Sequence, residues 1–355
     1  MSGEAPSAVV VVGAFAWQNW ASYEIEADYT TPADAWTVEV RNPSAAQIAA
    51  VTTGSVVQVL VANRVALKGF LERRSFRRSR GGGTALSLSG RDLAGPLTDC
   101  APPASWTWRN LSLAAVAQKA LTELGILATI SAAAEAQAPR PIIKTEPGET
   151  YWQLIERHAR KLRLLPWMSP DGVLHIDRPD YTSAPVATLT LGRVGSLGAE
   201  TNVLEAAYTE DMTGRFSDVT VVGQLAGTDQ VFGAGAAHLS GTAQDAGVVL
   251  KGLYRPTLVD DGELRSSQEA TARAQWEVSN RQFHAEVLEY VVPGHGPTTK
   301  TLWTPNTQVA VRDEYTGLSG VWWIAGRRLL RDRSAGTRTS LTLRRPNTLL
   351  PAVAS

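Results

Sequence analysis

Five histidines, one cysteine and a scatter of carboxylates are the residues whose chemistry matters most here. His158, His175, His238, His284 and His295 fall in no HExxH and in no other metal-ligand spacing, and no cysteine stands near them. Each therefore reads as a structural or surface histidine. His295 sits between two glycines in Pro293-Gly294-His295-Gly296-Pro297, a sharp loop, but no serine elbow or partner carboxylate accompanies it. The carboxylates Glu146, Glu149, Glu156, Asp260, Asp261 and Glu263 are dispersed, and no spacing selects an acid and base pair. There is no GxGxxG and no GxxxxGK[ST]; Gly81-Gly82-Gly83 reads as a hairpin turn. Cys100 stands alone, which rules out an internal disulfide and leaves no cysteine cluster for a metal. No catalytic, cofactor or metal residue is assigned, and the chain is read as a non-enzyme.

Arg73, Arg74, Arg77, Arg78 and Arg80 form a basic run. In a strand, alternate residues face opposite sides, so the run reads as a solvated edge or an interface for acidic partner residues rather than a phosphate patch. Lys plus Arg and Asp plus Glu are 34 each, giving zero net charge, which weighs against a dedicated duplex-DNA binder. The tryptophans, eleven in all, include Trp322-Trp323 and the Trp106/Trp108 pair, which read as core and subunit contacts.

The elements that must position these residues are mostly strands. At 355 residues, 44% hydrophobic and 19% charged, the chain is a folded protein of two to four domains. The apolar start, Ala8 to Trp17, lacks a basic n-region, and no run approaches 18 apolar residues. No secretory signal or membrane span is expected, and folding in a cytoplasm is. Ala35–Val40 and Val56–Val61 alternate as strands. From residue 100 the period turns helical: Leu113, Val116, Ala117, Ala120, Leu121 and Leu124 share a stripe that Gly125 ends. A second helix follows Thr150, whose capping box is with Gln153, and a third spans about 267–284 behind Ser266 and Glu269. Residues 224–247, rich in Gly, Ala, Thr and Asp, read as a long exposed loop or insertion.

Two stretches read as one element used twice, Val56–Asp92 and Thr307–Pro346. Each has an alternating strand, a turn, a strand with a double arginine (Arg73-Arg74, Arg327-Arg328), a Gly-Thr turn and a last strand. Such repetition suits an assembly component whose single subunit imitates a higher symmetry.

Three segments in order carry a family resemblance. They are Gly90–Pro103 (GRDLAGPLTDCAPP) with Gly69 ahead of it, Pro147–Pro179, and Leu302–Asp313 followed by Gly336–Asn347. Together they resemble the Mu-type phage tail protein P family, the baseplate hub of contractile-tailed phages. The GRD-x4-LTDC segment is the most specific, although the family usually continues Gly-Arg-Ser where Asp92 stands here. The resemblance covers most of the chain and marks Gly90, Arg91, Asp92, Asp99, Cys100, Trp303, Pro305 and Asn306 as structural determinants. Asp99 is expected to cap or close a turn where the first barrel hands over to the α/β unit, and Cys100 to be a small buried apolar side chain.

The resemblance implies a mainly β fold with α+β insertions: two similar β-barrel-like domains plus smaller α/β domains. The expected divisions are 1–100 (completed by about 181–205) and 206–223 with 301–346 for the two barrels, 101–180 and 224–300 for the insertions, and 347–355 as a tail. It also implies a homotrimeric ring in the virion tail. The ring would meet the tail tube or a tube-initiator protein, the central spike and other baseplate proteins, with DNA passing only transiently. Two alternatives are a tail-associated cell-wall hydrolase and the base of a type VI secretion spike. The latter would carry a long β-helical extension, whereas the last expected strand lies ten residues before Ser355, so the spike is expected to be a separate protein.

Overall fold

The computed structural model describes residues 8–12, 15–17, 20–80, 83–103, 106–131, 139–162, 164–193, 201–223, 239–261, 264 and 266–349. His238, Glu263, Gly81, Gly82 and most of the Gly-rich segment, 224–238, lie outside them. The chain divides into two compact units, 1–206 with 289–343 and 207–288 with 344–355.

In chain order the first unit begins with strands β1 (Ala8–Val12), β2 (Phe15–Trp17), β3 (Ser22–Asp28) and β4 (Ala35–Arg41). The short helix α1 (Ala45–Ala49) follows, then β5 (Val56–Val61), β6 (Arg64–Phe70), β7 (Arg73–Ser79) and β8 (Gly83–Arg91). Next come α2 (Gly95–Asp99), β9 (Thr107–Leu111), α3 (Leu113–Glu123), β10 (Thr129–Ile130), β11 (Arg140–Lys144) and α4 (Tyr151–Lys161). Strands β12 (Leu165–Met168), β13 (Val173–Asp177), β14 (Thr188–Leu191) and β15 (Glu205–Glu210) lead towards the second unit. There lie β16 (Asp218–Gly223), β17 (Leu239–Gln244), α5 (Ala246–Val249), β18 (Pro256–Asp260) and α6 (Ser267–Ala285). The chain closes with β19 (Glu286–Pro293), β20 (Thr307–Asp313), β21 (Ser319–Asp332) and β22 (Gly336–Arg344).

The fold is mainly β with several sheets. In the first unit one sheet orders β2-β1-β5-β6, and a larger one runs β19-β22-β21-β3-β4-β8-β7, with β20 pairing both β21 and β14. Alternation explains the first barrel-like core. Along β4 and β8 every second residue is buried, and Trp36, Val38, Val40, Leu86 and Leu88 meet Val57, Val59 and Leu67.

The two repeated stretches have matching strand order. Around the second, neighbours run β19-β22-β21-β20-β14. Around the first they run β4-β8-β7, then β6-β5-β1, and β6 and β7 are one path bent at Leu71-Glu72. The bend stays tied to β8, since Gly69 bridges Asp92 and the Glu72 N–H donates to Ser89 O at 3.0 Å. One feature differs: β1 pairs β5 antiparallel, whereas β14 pairs β20 parallel.

Between the barrel-like parts lies the α/β insertion. Ser112 caps α3, the Thr150–Gln153 box caps α4, and Gly125 at φ 66 closes α3 in the left-handed region. Leu113, Val116, Ala117, Leu121, Leu154 and Ile155 pack with Leu174 and Ile176 of β13 in a core of their own.

In the second unit the structure departs from the long loop expected at 224–247. Residues 239–244 form β17, paired antiparallel to β16, and Asp245 caps α5. LSGTAQ carries little β preference; pairing and the helix above it decide the matter. Gly241 is what lets α6 lie so close, because a Cβ there would meet Thr271 N at 2.1 Å.

Candidate functional site: a buried polar junction

The family-motif residues converge on two places in the first unit. The first is the end of β8. A Cβ on Gly90 would stand 1.9 Å from Phe70 O, so only glycine lets β8 pass the bent strand there. Arg91 turns outward and forks onto Glu72 at 2.7 Å and Asp99 at 2.5 Å, with Thr98 at 3.1 Å. That bonding holds the Asp99 carboxyl below its ordinary range. Asp99 is thus the exposed last residue of α2, fixed by an ion pair, rather than the turn-closing cap expected. Cys100 is half-buried rather than fully buried; it packs on the α/β core, and its carbonyl accepts from Tyr151 N–H at 3.0 Å.

Asp92 points the other way and is buried. Its Oδ1 accepts from Ala94 N–H at 2.8 Å, and its own N–H donates to Asp34 O at 2.8 Å. Asp34 is buried as well, and its Oδ1 accepts from Asp28 N–H at 2.8 Å. Burial raises the pKa of both carboxyls, and the charge of Asp92 raises that of Asp34 further. The charge of Arg91 acts against this rise at Asp92, and at Asp34 the opposing cation is Arg327, one of the paired arginines read from the sequence. It is buried, donating to Trp303 O and, at 3.1 Å, to Ala66 O, with burial bringing its pKa down to about 10. It stays protonated at neutral pH. Because Ala66 is on β6 and Arg327 on β21, one guanidinium ties the two repeated stretches together. Its neighbour Arg328 lies on the opposite face, exposed, with Glu24 at 3.3 Å.

The second place is the Trp303–Asn306 segment. Trp303 is buried, and its N–H donates to His295 O at 3.0 Å. Pro305 is buried beside Asn306. Asn306 adopts φ 63, and its Oδ1 accepts from Asp180 N–H at 2.7 Å and Trp323 Nε1–H at 3.2 Å. His295, read from sequence as a structural or surface histidine in a sharp loop, is buried. The Thr339 hydroxyl donates to Gly294 O at 2.7 Å, so at 3.2 Å it can only accept from His295 Nδ1–H. Nε2 then accepts from Tyr23 O–H at 2.8 Å. Burial, with the charges of Arg327 and Arg331, pulls the imidazole down to about 4, so it is neutral at physiological pH.

Sequence reasoning marked Asp92 and the paired arginines but not Asp34, Tyr23 or Thr339. Their role comes from register, and only their place on alternating strands could have signalled burial. Chemically the junction is a neutral histidine with hydroxyl partners, a buried arginine with Asp34 in its field, and a second buried acid, Asp92, tied to Asp34 through the backbone. Such a set locks backbone geometry. Among the described residues no group of three or more His, Cys, Asp or Glu is placed to hold a metal ion.

Four family models tile the chain. The Mu phage baseplate assembly protein GpP-like N-terminal model matches 7–92, and the baseplate hub protein gp44-like second domain matches 94–178. The third domain of the NMB1110-like tail protein matches 215–276, and the C-terminal domain of the same kind of tail protein matches 281–347. No curated protein matches. Among solved structures, a tail protein from Neisseria meningitidis MC58 is 29% identical, with a TM-score of 0.82 over 98% of this chain and 99% of its own. The 43 kDa tail protein of prophage MuSo2 from Shewanella oneidensis is 25% identical, with a TM-score of 0.80 over 97% of this chain and 100% of its own. A type VI secretion component from E. coli shares the fold at 10% identity and a TM-score of 0.55, over 98% of this chain and 79% of its own. With its motifs, strand order and full-length likeness in agreement, the chain is similar to the Mu phage GpP-like and baseplate hub gp44-like proteins domain by domain and is a phage tail and baseplate structural protein.

Proposed function

We propose that this chain is the baseplate hub subunit, a homotrimer that joins the six-fold tail tube to the three-fold central spike and lines the channel through which DNA passes. The observation that carries this reading is the strand order used twice, β4-β8-β7/β6-β5-β1 and β19-β22-β21-β20-β14. Three copies of a chain with two similar modules offer six similar surfaces to a six-fold tube while keeping three-fold symmetry for a spike. The zero net charge suits a conduit, since tight phosphate binding would hold the DNA it must release. The proposed partners are a second and third copy, the tube or a tube-initiator protein, the spike and other baseplate proteins, all in the virion after assembly in the host cytoplasm. No catalytic step belongs to this role.

The test is native mass measurement of the chain alone and with its spike, followed by imaging of the assembled tail tip. Three copies in a ring around a central hole are expected. A ring of any other order in the assembled tail overturns the reading.

A further inference from the structure

Strand β7, Arg-Arg-Ser-Phe-Arg-Arg-Ser, is exposed along its whole length on both faces and ends the strand order of its sheet. An edge strand leaves a row of N–H and C=O groups unpaired. Arg74 is engaged within the chain, donating to Ile48 O and Val51 O. Arg73, Arg77 and Arg78 have no hydrogen bond or ion pair with any described residue. Between them Phe76 is 51% exposed, an unusual place for a phenylalanine on a solvated edge. Arginines free of internal partners, a bare ladder and an exposed ring together describe a surface prepared for a strand of opposite charge.

This chain carries such a strand. β15, Glu-Ala-Ala-Tyr-Thr-Glu, also ends its strand order and is exposed except for the half-buried Tyr208. Glu205 has no partner among the described residues, and Glu210 has only an exposed pair with Lys251 at 3.2 Å. Glu205 and Glu210 are five residues apart, as are Arg73 and Arg78. An antiparallel register that sets Arg73 opposite Glu210 therefore sets Arg78 opposite Glu205, one ion pair on each face of the ladder. The same register places Phe76 against the small Ala207.

We propose that β7 of one copy pairs antiparallel with β15 of a second copy, and that this edge-to-edge contact is the joint between subunits. The two edges differ, so the contact is heterologous, and its repetition closes a ring when the rotation permits. The proposal rests on the self-association described above and names the surface that produces it.

The test uses the full chain and charge exchange. The pair R73E/R78E and the pair E205R/E210R should each weaken self-association by about tenfold or more by sedimentation, with unfolding temperatures unchanged, because like charges then face across the joint. The four substitutions combined restore opposite charges and should restore assembly. In a Cys100→Ala background, F76C/A207C should form a disulfide between copies on mild oxidation, since directly opposed positions of an antiparallel pair lie within bonding reach. Charge variants that assemble like wild type, or a fourfold variant that stays apart while folded, overturn the joint and leave the hub reading standing. Cross-linking of S75C/A207C, the parallel register, without F76C/A207C overturns the stated register. A wild-type chain that remains monomeric at every concentration, alone and with its spike, removes the ring and the joint together.

Discussion

His295 shows how one side chain sets a pH response. Its imidazole sits near 4 in the fold against an ordinary 6.5, so the unfolded chain binds the proton first as pH falls. Stability from this group is complete above 6.5 and is lost as pH falls through that value towards 4. Each pKa unit is worth about 1.4 kcal/mol, so the loss approaches 3 kcal/mol by pH 4. Denaturant unfolding of wild type and His295→Gln at pH 7.5 and 4.5 should show the advantage of wild type shrinking by about 2 kcal/mol at the lower pH. An advantage independent of pH would refute the neutral-histidine geometry. Arg327 permits a second expectation. Its guanidinium spans two carbonyls, on Trp303 and Ala66, and a lysine ammonium lacks that fork. Arg327→Lys should cost about 2 kcal/mol of stability by the same measurement, the worth of one charge-assisted bond. The sequence displayed Arg327-Arg328 as a pair but could not say which is buried. That depends on the phase of β21 against β3, where Arg328 meets Glu26 and Arg327 meets Ala27. The contact with Ala66 spans 261 positions in the chain and left no local trace.

At the scale of elements, alternation and capping made much of the fold legible. Trp36, Val38 and Val40 announced their strand by period, and Thr150 with Gln153 announced a helix. The strand β17 went unread because Ser240, Gly241 and Thr242 carry no apolar rhythm; its place is fixed by β16 and by the helix α6. Gly241 exposes that dependence. Gly241→Ala drives a methyl into the backbone of α6 and should destabilise the second unit by about 3 kcal/mol or more. Limited proteolysis should cut 207–288 in the variant while the first unit stays protected. Simultaneous loss of both units would show that they do not fold separately. At the end of β8, Gly90→Ala faces a carbonyl at 1.9 Å and should lower the yield of folded protein far more than Gly317→Ala, where a Cβ meets nothing within 4 Å and only its φ of 72 opposes it.

For the whole molecule, the division into two units and the doubled strand order are the features that bear on assembly. The repetition was visible in sequence as two hairpin series, although the bend at Leu71-Glu72 hides in the first what is a single 14-residue strand in the second. Two of the carboxylates that a lytic reading would recruit are engaged: Glu149 accepts from Arg157 at 2.7 Å, and Asp261 lies 3.4 Å from Arg273. Purified protein should therefore leave a peptidoglycan suspension turbid, and clearing that Glu149→Gln abolishes would contradict the structural role. The strand β21 has a mechanical meaning besides. Its first half is laced to β20 through six residue pairs and its second half to β3 through six more. A pull along its axis must shear those bonds together, whereas a pull across it would unzip them one at a time. The strand is thus resistant to a load along its own axis and comparatively easy to peel from the side.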